Sequence, residues 1–132
     1  MNSVKNLTLV DDDEIFVFLT TKTIRETNLV ELIKVFGNGL DALNFLIENK
    51  DNPEALPEII LLDLSMPIMN GWQFLDEYAS LHPDMGKKIT IYICSSSISP
   101  DDIARAKNIS EVSDFIIKPI TKDKLVDVLK KL

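Results

Sequence analysis

The chain of 132 residues has one cysteine, Cys94, and one histidine, His82. A single cysteine forms no intramolecular disulfide, and the two together fall short of the clustered ligands of a structural zinc site, so any metal here is held by oxygen. Cys94 sits in an apolar stretch with nothing cationic beside it and reads as a small core residue, not a reactive thiolate. Ser95, Ser96, Ser97 and Ser99 have no base partner in His82, an ordinary surface residue beside Pro83, which argues against a serine hydrolase. Long apolar runs are missing too. Nothing approaches the roughly 18 residues of a membrane span, and residues 1–10 hold only a short apolar stretch broken by Thr8, too short for a signal-peptide core. These absences predict a cytoplasmic chain with no membrane partner. Positive charge is scarce, at 14 Lys and Arg against 21 Asp and Glu for a net charge of −7. The basic residues are scattered, which argues against nucleic-acid phosphates as a ligand.

What is present suits one soluble domain over residues 1–132. Apolar residues make up 45% of the chain and charged residues 27%, enough for a hydrophobic core and too apolar for disorder. Five short apolar stretches, at 7–10, 32–36, 58–62, 90–94 and 114–117, read as strands. Three of them contain nearly continuous apolar runs, at 59–62, 91–94 and 115–117, as expected of strands covered on both faces. Between them lie segments of helical length. Gly71, Phe74, Leu75 and Tyr78 fall at helical spacing, as do Leu125, Val128, Leu129 and Leu132, with a shorter version in Leu43, Leu46 and Ile47. The segment 14–26 is helical by length and position more than by period, because residues 15–19 are all apolar. The helix after Pro100 has the weakest pattern. Five β-α repeats imply a parallel sheet between helices. The expected fold is α/β, flavodoxin-like (βα)5, and if the strand order is 2-1-3-4-5 the first and third strands are neighbours.

The reactive side chains cluster where the strands end. Asp11, Asp12 and Asp13 follow the first strand, Asp63 ends the third, Ser95, Ser96 and Ser97 follow the fourth, and Lys118 ends the fifth. In an open parallel sheet those ends share one rim, with the ligand crevice where the strand order reverses. Carboxylates brought together there repel unless a cation joins them, and Mg²⁺ suits a site of one or two carboxylates completed by water or phosphate oxygens. Lys118 would add a second positive charge, and the pair could clamp a transferring phosphoryl group, with the hydroxyls and N–H groups of Ser95 and Ser96 on the same oxygens. Asp63 is then placed as a nucleophile that becomes an acyl phosphate. Asp13 reads as the N-cap of the helix opening at Glu14, and Met66, Pro67 and Gly71 as residues that shape a loop and start the next helix. Trp72 reads as a packing or partner-contact residue near the rim. The Lys118–Pro119 bond is open to either isomer.

The ordered motifs Val10-Asp11-Asp12, Leu62-Asp63-Leu64-Ser65-Met66-Pro67, Ser95-Ser96 and Phe115-Ile116-Ile117-Lys118-Pro119 resemble those of bacterial response-regulator receiver domains over essentially the whole chain. The resemblance implies that Asp63 takes phosphate from a phosphohistidine of a histidine kinase or histidine phosphotransfer protein. It implies that Asp12 and Asp63 bind Mg²⁺ with the backbone carbonyl of Ser65, while Asp11 supports the metal's waters. Lys118 and Ser96 would contact the phosphoryl group, and Ser95 and Phe115 would form the switch that alters a surface of helix 4, strand 5 and helix 5. Side chains flanking the site, Ser65 and Ser97, would influence the phosphate lifetime. Serine stands where threonine is commoner, which loses a rotamer-restraining methyl, and Phe115 has no hydroxyl for a tyrosine-type hydrogen bond. The expectation is a stand-alone, chemotaxis-regulator-like receiver that is phosphorylated without being a turnover enzyme. It would signal to a downstream protein target in trans, as a monomer or a weak phosphorylation-dependent dimer. A Mg²⁺-dependent aspartyl-phosphate phosphatase is the rival, but it needs an acid where Ser65 stands. A flavin carrier would not cradle phosphate on three aspartates. The start at Met1 and the end just after the fifth helix favour a free-standing protein over a receiver fragment of a hybrid kinase.

Overall fold

A computed structural model describes residues 4–96 and 99–132. The elements run β1 (Val4–Val10), α1 (Glu14–Thr27), β2 (Val30–Phe36), α2 (Gly39–Glu48), β3 (Ile59–Asp63), α3 (Gly71–Leu81), β4 (Thr90–Ser95), α4 (Pro100–Lys107), β5 (Val112–Ile117) and α5 (Lys122–Lys130). The sheet has five parallel strands in the order β2-β1-β3-β4-β5. This is the expected flavodoxin-like arrangement. The chain folds back at His82–Asp84 through a short 3₁₀ turn, where the exposed His82 ring meets Tyr78 edge-on. No helix among the described residues is long and apolar enough to cross a membrane.

The sheet carries a core on each face. Leu7, Leu9, Ile59, Leu61, Tyr92 and Cys94 pack with Phe16 and Ile24 of α1 and with Leu125, Val128 and Leu129 of α5. Ile60, Leu62, Ile91 and Ile93 pack instead with Leu43 and Leu46 of α2, Phe74, Leu75 and Tyr78 of α3, and Ala106 of α4. The continuous apolar runs of β3 and β4 follow from this, because neither face of a central parallel strand meets water.

β5 departs from that expectation. It lies at the sheet edge, and while Ile116 is buried, Phe115 is half-buried and Ile117 is 61% exposed. Edge position is a property of the assembled sheet, and the run 115–117 carries no sign of it. The strands also extend beyond the apolar stretches: β1 begins at Val4, β2 at Val30 and β5 at Val112, while β3 begins one residue late and takes in Asp63. Leu132 is exposed beyond the end of α5. In α1 the aperiodic apolar run resolves into a buried Phe16 and three outward side chains, Ile15, Phe18 and Leu19.

Each helix begins on a short polar side chain that accepts backbone N–H bonds: Asp13, Asn38, Asn70, Ser99 and Thr121. Such caps fix where a helix starts and therefore how the preceding loop lies at the rim. The cap of α3 is reinforced by Gln73, whose side chain accepts the Asn70 N–H at 2.9 Å. In the loop before it, Ile68 takes the left-handed conformation at φ 67°, a strained choice for a β-branched residue.

Gly71 fixes α3 against the end of β3. Its N–H donates to the Leu64 carbonyl at 3.0 Å, and a Cβ there would collide with the Asp63 carbonyl oxygen and come within 2.9 Å of the Leu64 Cα. Both obstacles are backbone and cannot swing aside. Gly71→Ala is therefore expected to destabilise the fold by about 1–3 kcal/mol, as overpacking does, despite the better helix propensity of alanine. A lowered urea midpoint with unchanged slope checks this.

Candidate functional site

Pairing of Val10 with Leu62 sets the ends of β1 and β3 side by side, so Asp11 and Asp63 emerge next to each other where the strand order reverses. Asp11 is 2% exposed and Asp63 7%, while Asp12 faces solvent. One carboxylate oxygen from each of Asp11, Asp12 and Asp63 lies within 4.8 Å of the others. The predicted convergence of these acids is thus what the sheet produces.

Lys118 enters the cluster from the end of β5. Its Nζ is 2.7 Å from Asp11 Oδ2 and 3.4 Å from Asp63 Oδ1. The backbone holds it there, with the Lys118 N–H donating to the Ser95 carbonyl at 2.9 Å. The Lys118–Pro119 peptide bond is cis. Asp13 is the N-cap of α1, accepting the N–H groups of Ile15 and Phe16, and its own N–H donates to Asp11 Oδ1 at 2.9 Å.

A crevice of about 520 Å³ opens beside the acids, lined by Asp63, Ser65, Met66, Trp72, Ser95, Ser96 and Asp102 among others. Ser95 is the last residue of β4 and half-buried, and Ser96 is exposed. Ser65 follows two residues after Asp63, and its backbone N–H favours the ionised Asp63 carboxylate. Trp72, half-buried on this crevice, is stacked by the Arg105 guanidinium at 4.2 Å, which ties α4 to the start of α3. Phe115 lies outside the crevice, lining an apolar groove of about 370 Å³ with Ile103, Ala106, Val112 and Ile117. Ser97 lies outside the described residues.

The charges explain the titration. Burial pushes the Asp63 carboxyl above its ordinary value, and the Asp11 charge pushes the same way; the Lys118 charge and hydrogen bond and the Ser65 N–H offset only part of this. For Lys118, burial pulls the ammonium down, but the hydrogen bond and charge of Asp11, with those of Asp63, outweigh it and the net shift is upward. Cys94, one strand position from the acids, is pushed up to about 12 chiefly by burial, as a core thiol should be.

Three carboxylates against one ammonium leave two negative charges at a cluster of oxygen donors. That donor set fits a hard divalent cation, and the upward push on Asp63 is the electrostatic strain such a cation would relieve.

Residues 7–130 match the model of the response regulator receiver domain. The chain belongs to this family. It is 28% identical to the chemotaxis protein CheY of Listeria monocytogenes over 93% of this chain and 94% of that one. Among solved structures, a two-component response regulator from Cytophaga hutchinsonii is 34% identical, with a TM-score of 0.88 over 98% of this chain and 97% of that one. The Mn²⁺-bound form of the response regulator Rcp1 is 28% identical, with a TM-score of 0.74 over 96% of this chain and 90% of that one. The receiver domain is a signalling module of two-component systems, and the acidic cluster of this receiver is compatible with Mg²⁺.

Two features of this receiver escape a reading of the sequence. One is Phe16, whose ring centroid lies 4.2 Å from Lys118 Nζ; the run 15–19 hides which residue faces in. The other is the Trp72–Arg105 stack, whose partners are too far apart in the chain to suggest each other.

Because the folded-state pKa of Asp63 lies above its ordinary value of 3.8, its contribution to stability is fully present below the unfolded pKa and is lost as pH rises through the folded one. At neutral pH, without divalent cations, the ionised carboxylate is a net burden. Asp63→Asn is therefore expected to unfold at a higher urea concentration than the parent at pH 7 in chelator. That advantage should shrink to nothing as pH falls below the ordinary carboxylate range. A lower midpoint at pH 7 would contradict the electrostatic account.

Proposed function

We propose that this receiver is a phosphorylation-controlled relay in which Asp63 accepts a phosphoryl group from a phosphohistidine of a histidine kinase or histidine phosphotransfer protein. The observation that carries the reading is the buried Asp63 carboxylate facing an open crevice with Lys118 Nζ 3.4 Å away and two further carboxylates beside it. An Asp63 oxygen forms the new bond to phosphorus as the bond to the imidazole nitrogen breaks, leaving an acyl phosphate on the receiver and, with a proton already on the other ring nitrogen or taken from water, a neutral imidazole on the donor. The event is a modification of the receiver itself, followed by hydrolysis, and is not substrate turnover.

Asp11, Asp12, Asp63 and the Ser65 carbonyl would hold Mg²⁺, which supplies positive charge to the phosphoryl oxygens during transfer. Lys118 would supply the second positive charge, a donor aimed at the charge that develops on the phosphoryl oxygens. The Ser95 hydroxyl and Ser96 then take phosphoryl oxygens. Because the Ser95 carbonyl already accepts the Lys118 N–H, movement of either residue is felt by both strands. Phosphorylation would bias a pre-existing equilibrium of the α4–β5–α5 surface. Half-buried Phe115, in the groove between α4 and β5, has room to change burial. That surface would deliver the signal to a downstream protein in trans. On the other side of the acids, the outward Ile15, Phe18 and Leu19 of α1 give a donor protein an apolar face to dock on.

Purified protein treated with a small acyl or amido phosphate is expected to gain one acid-stable, base-labile phosphate only with Mg²⁺ present. Mg²⁺ alone, at about a hundred times its dissociation constant, should stabilise the fold by roughly 2.7 kcal/mol. Asp63→Asn should abolish labelling, and equal labelling of the mutant, or labelling that ignores chelator, overturns the assignment.

Lys118→Ala and Ser95→Ala should still accept phosphate while the amide spectrum of β5 and α5 stays in its unphosphorylated form. A parent-like spectral change in both variants would remove these residues from the switch.

A further inference from the structure

Lysine is a poor choice for a group that must stay in one place, since its ammonium is a point charge on a flexible four-carbon stem with three rotatable donors. Two carboxylates attract Lys118, but at 2.7 Å and 3.4 Å they pull it in different directions. A third contact comes from Phe16, 9% exposed on α1, whose ring centroid lies 4.2 Å from the Nζ. The negative face of an aromatic ring attracts a cation, most strongly where water is excluded, and the Lys118 side chain is only 13% exposed.

The ring is held by the site itself. Asp11 Oδ1 accepts the Asp13 N–H at 2.9 Å, and Asp13 Oδ1 accepts the Phe16 N–H at 3.1 Å. The Phe16 ring meets Lys118 Nζ, and Lys118 Nζ returns to Asp11 Oδ2. These four contacts form a closed circuit through the end of β1, the first turn of α1 and the end of β5. The ring also belongs to the apolar cluster with Ile116 and Ile120, which flank Lys118 in the chain.

We propose that Phe16 is a positioning residue for Lys118: its ring holds the ammonium at the carboxylate pair and keeps it aimed at Asp63 when that residue carries a phosphoryl group. The inference rests on the reading of Asp63 as phosphoacceptor. Phosphorylation and metal binding would each change a carboxylate partner of Lys118, Asp63 by making it a mixed anhydride with phosphate and Asp11 by its share in metal binding. The ring contact is unaffected by either event, so it is the constant reference for the ammonium through the cycle. Leucine at position 16 would fill much of the same core volume and offer no such face.

The test compares the parent with Phe16→Leu, Phe16→Tyr, Lys118→Ala and the double variant Phe16→Leu/Lys118→Ala, all as the full chain. Without phosphate, the Lys118 ε-CH2 resonances should be displaced upfield in the parent and in Phe16→Tyr, and should lose that displacement in Phe16→Leu. With Mg²⁺ and acetyl phosphate, at matched phosphate occupancy, the switching equilibrium read from β5 and α5 amide shifts should fall roughly two- to fivefold in Phe16→Leu. It should stay near the parent value in Phe16→Tyr. In urea unfolding without phosphate, Phe16→Leu should cost less stability in the Lys118→Ala background than in the parent, whereas a role confined to core packing would be additive. Additive effects, or a Phe16→Leu variant that matches the parent in both readouts, overturn the proposal. A parent that takes up no phosphate counts against Asp63 as acceptor, and the ε-CH2 resonances still decide the Phe16 contact: unchanged in Phe16→Leu they overturn it, collapsed they uphold it.

Discussion

The rim of this receiver is organised around one ammonium group set between two buried carboxylates. Two carboxylates this close cannot both be stable as anions without compensation, because burial and mutual repulsion act in the same direction. Lys118 supplies one positive charge, enough to hold Asp11 at 2.7 Å but not to neutralise Asp63 and the exposed Asp12 as well. The fold therefore leaves charge uncompensated at one place. A site in that condition gains from any added cation.

That tension is maintained by parts of the fold with no chemistry of their own. β3 is buried on both faces from Ile59 to Asp63, so its carboxyl end cannot drift away from β1. Gly71 brings α3 against the backbone of Asp63 and Leu64, and the N-caps hold each loop in place above the strands. By contrast the far side is loosely covered: β5 is an edge strand with Ile117 exposed and Phe115 half-buried. The switch we propose thus has a closed side under the acids and an open groove beside β5, on the side of Phe115 and Ile117.

The sequence reveals the acids, the hydroxyls and the lysine because they interrupt apolar runs at strand ends, and in a parallel sheet all such ends meet on one rim. The parallel sheet and its five helices follow from the same alternation, which leaves the strand order open. Properties that depend on the assembled sheet are not legible in this way. The run 115–117 looks as buried as 59–62, yet one belongs to an edge and the other to the centre. Phe16 is hidden for a related reason: where five consecutive residues are apolar, no periodicity distinguishes the inward ring from Ile15, Phe18 and Leu19, which face solvent. The sequence also places Lys118 on the rim without saying which acid it favours, since that depends on how the ends of β1, β3 and β5 lie in the assembled sheet.

The preference of Lys118 for Asp11 bears directly on Asp63 as the acceptor we propose. An ammonium clamped tightly on Asp63 would occupy one of its oxygens and stabilise the carboxylate, making it a weaker nucleophile. With the closer contact on Asp11, and with burial pushing the Asp63 carboxyl upward, the acceptor is more basic than an exposed aspartate and still faces the crevice. Lys118 nonetheless stays within 3.4 Å, near enough to meet negative charge as it arrives on the phosphoryl oxygens. Holding the lysine beside the nucleophile without letting it mask the nucleophile requires a third contact that favours neither acid. An aromatic ring meets that requirement, because it attracts the ammonium without competing for the carboxylates' lone pairs.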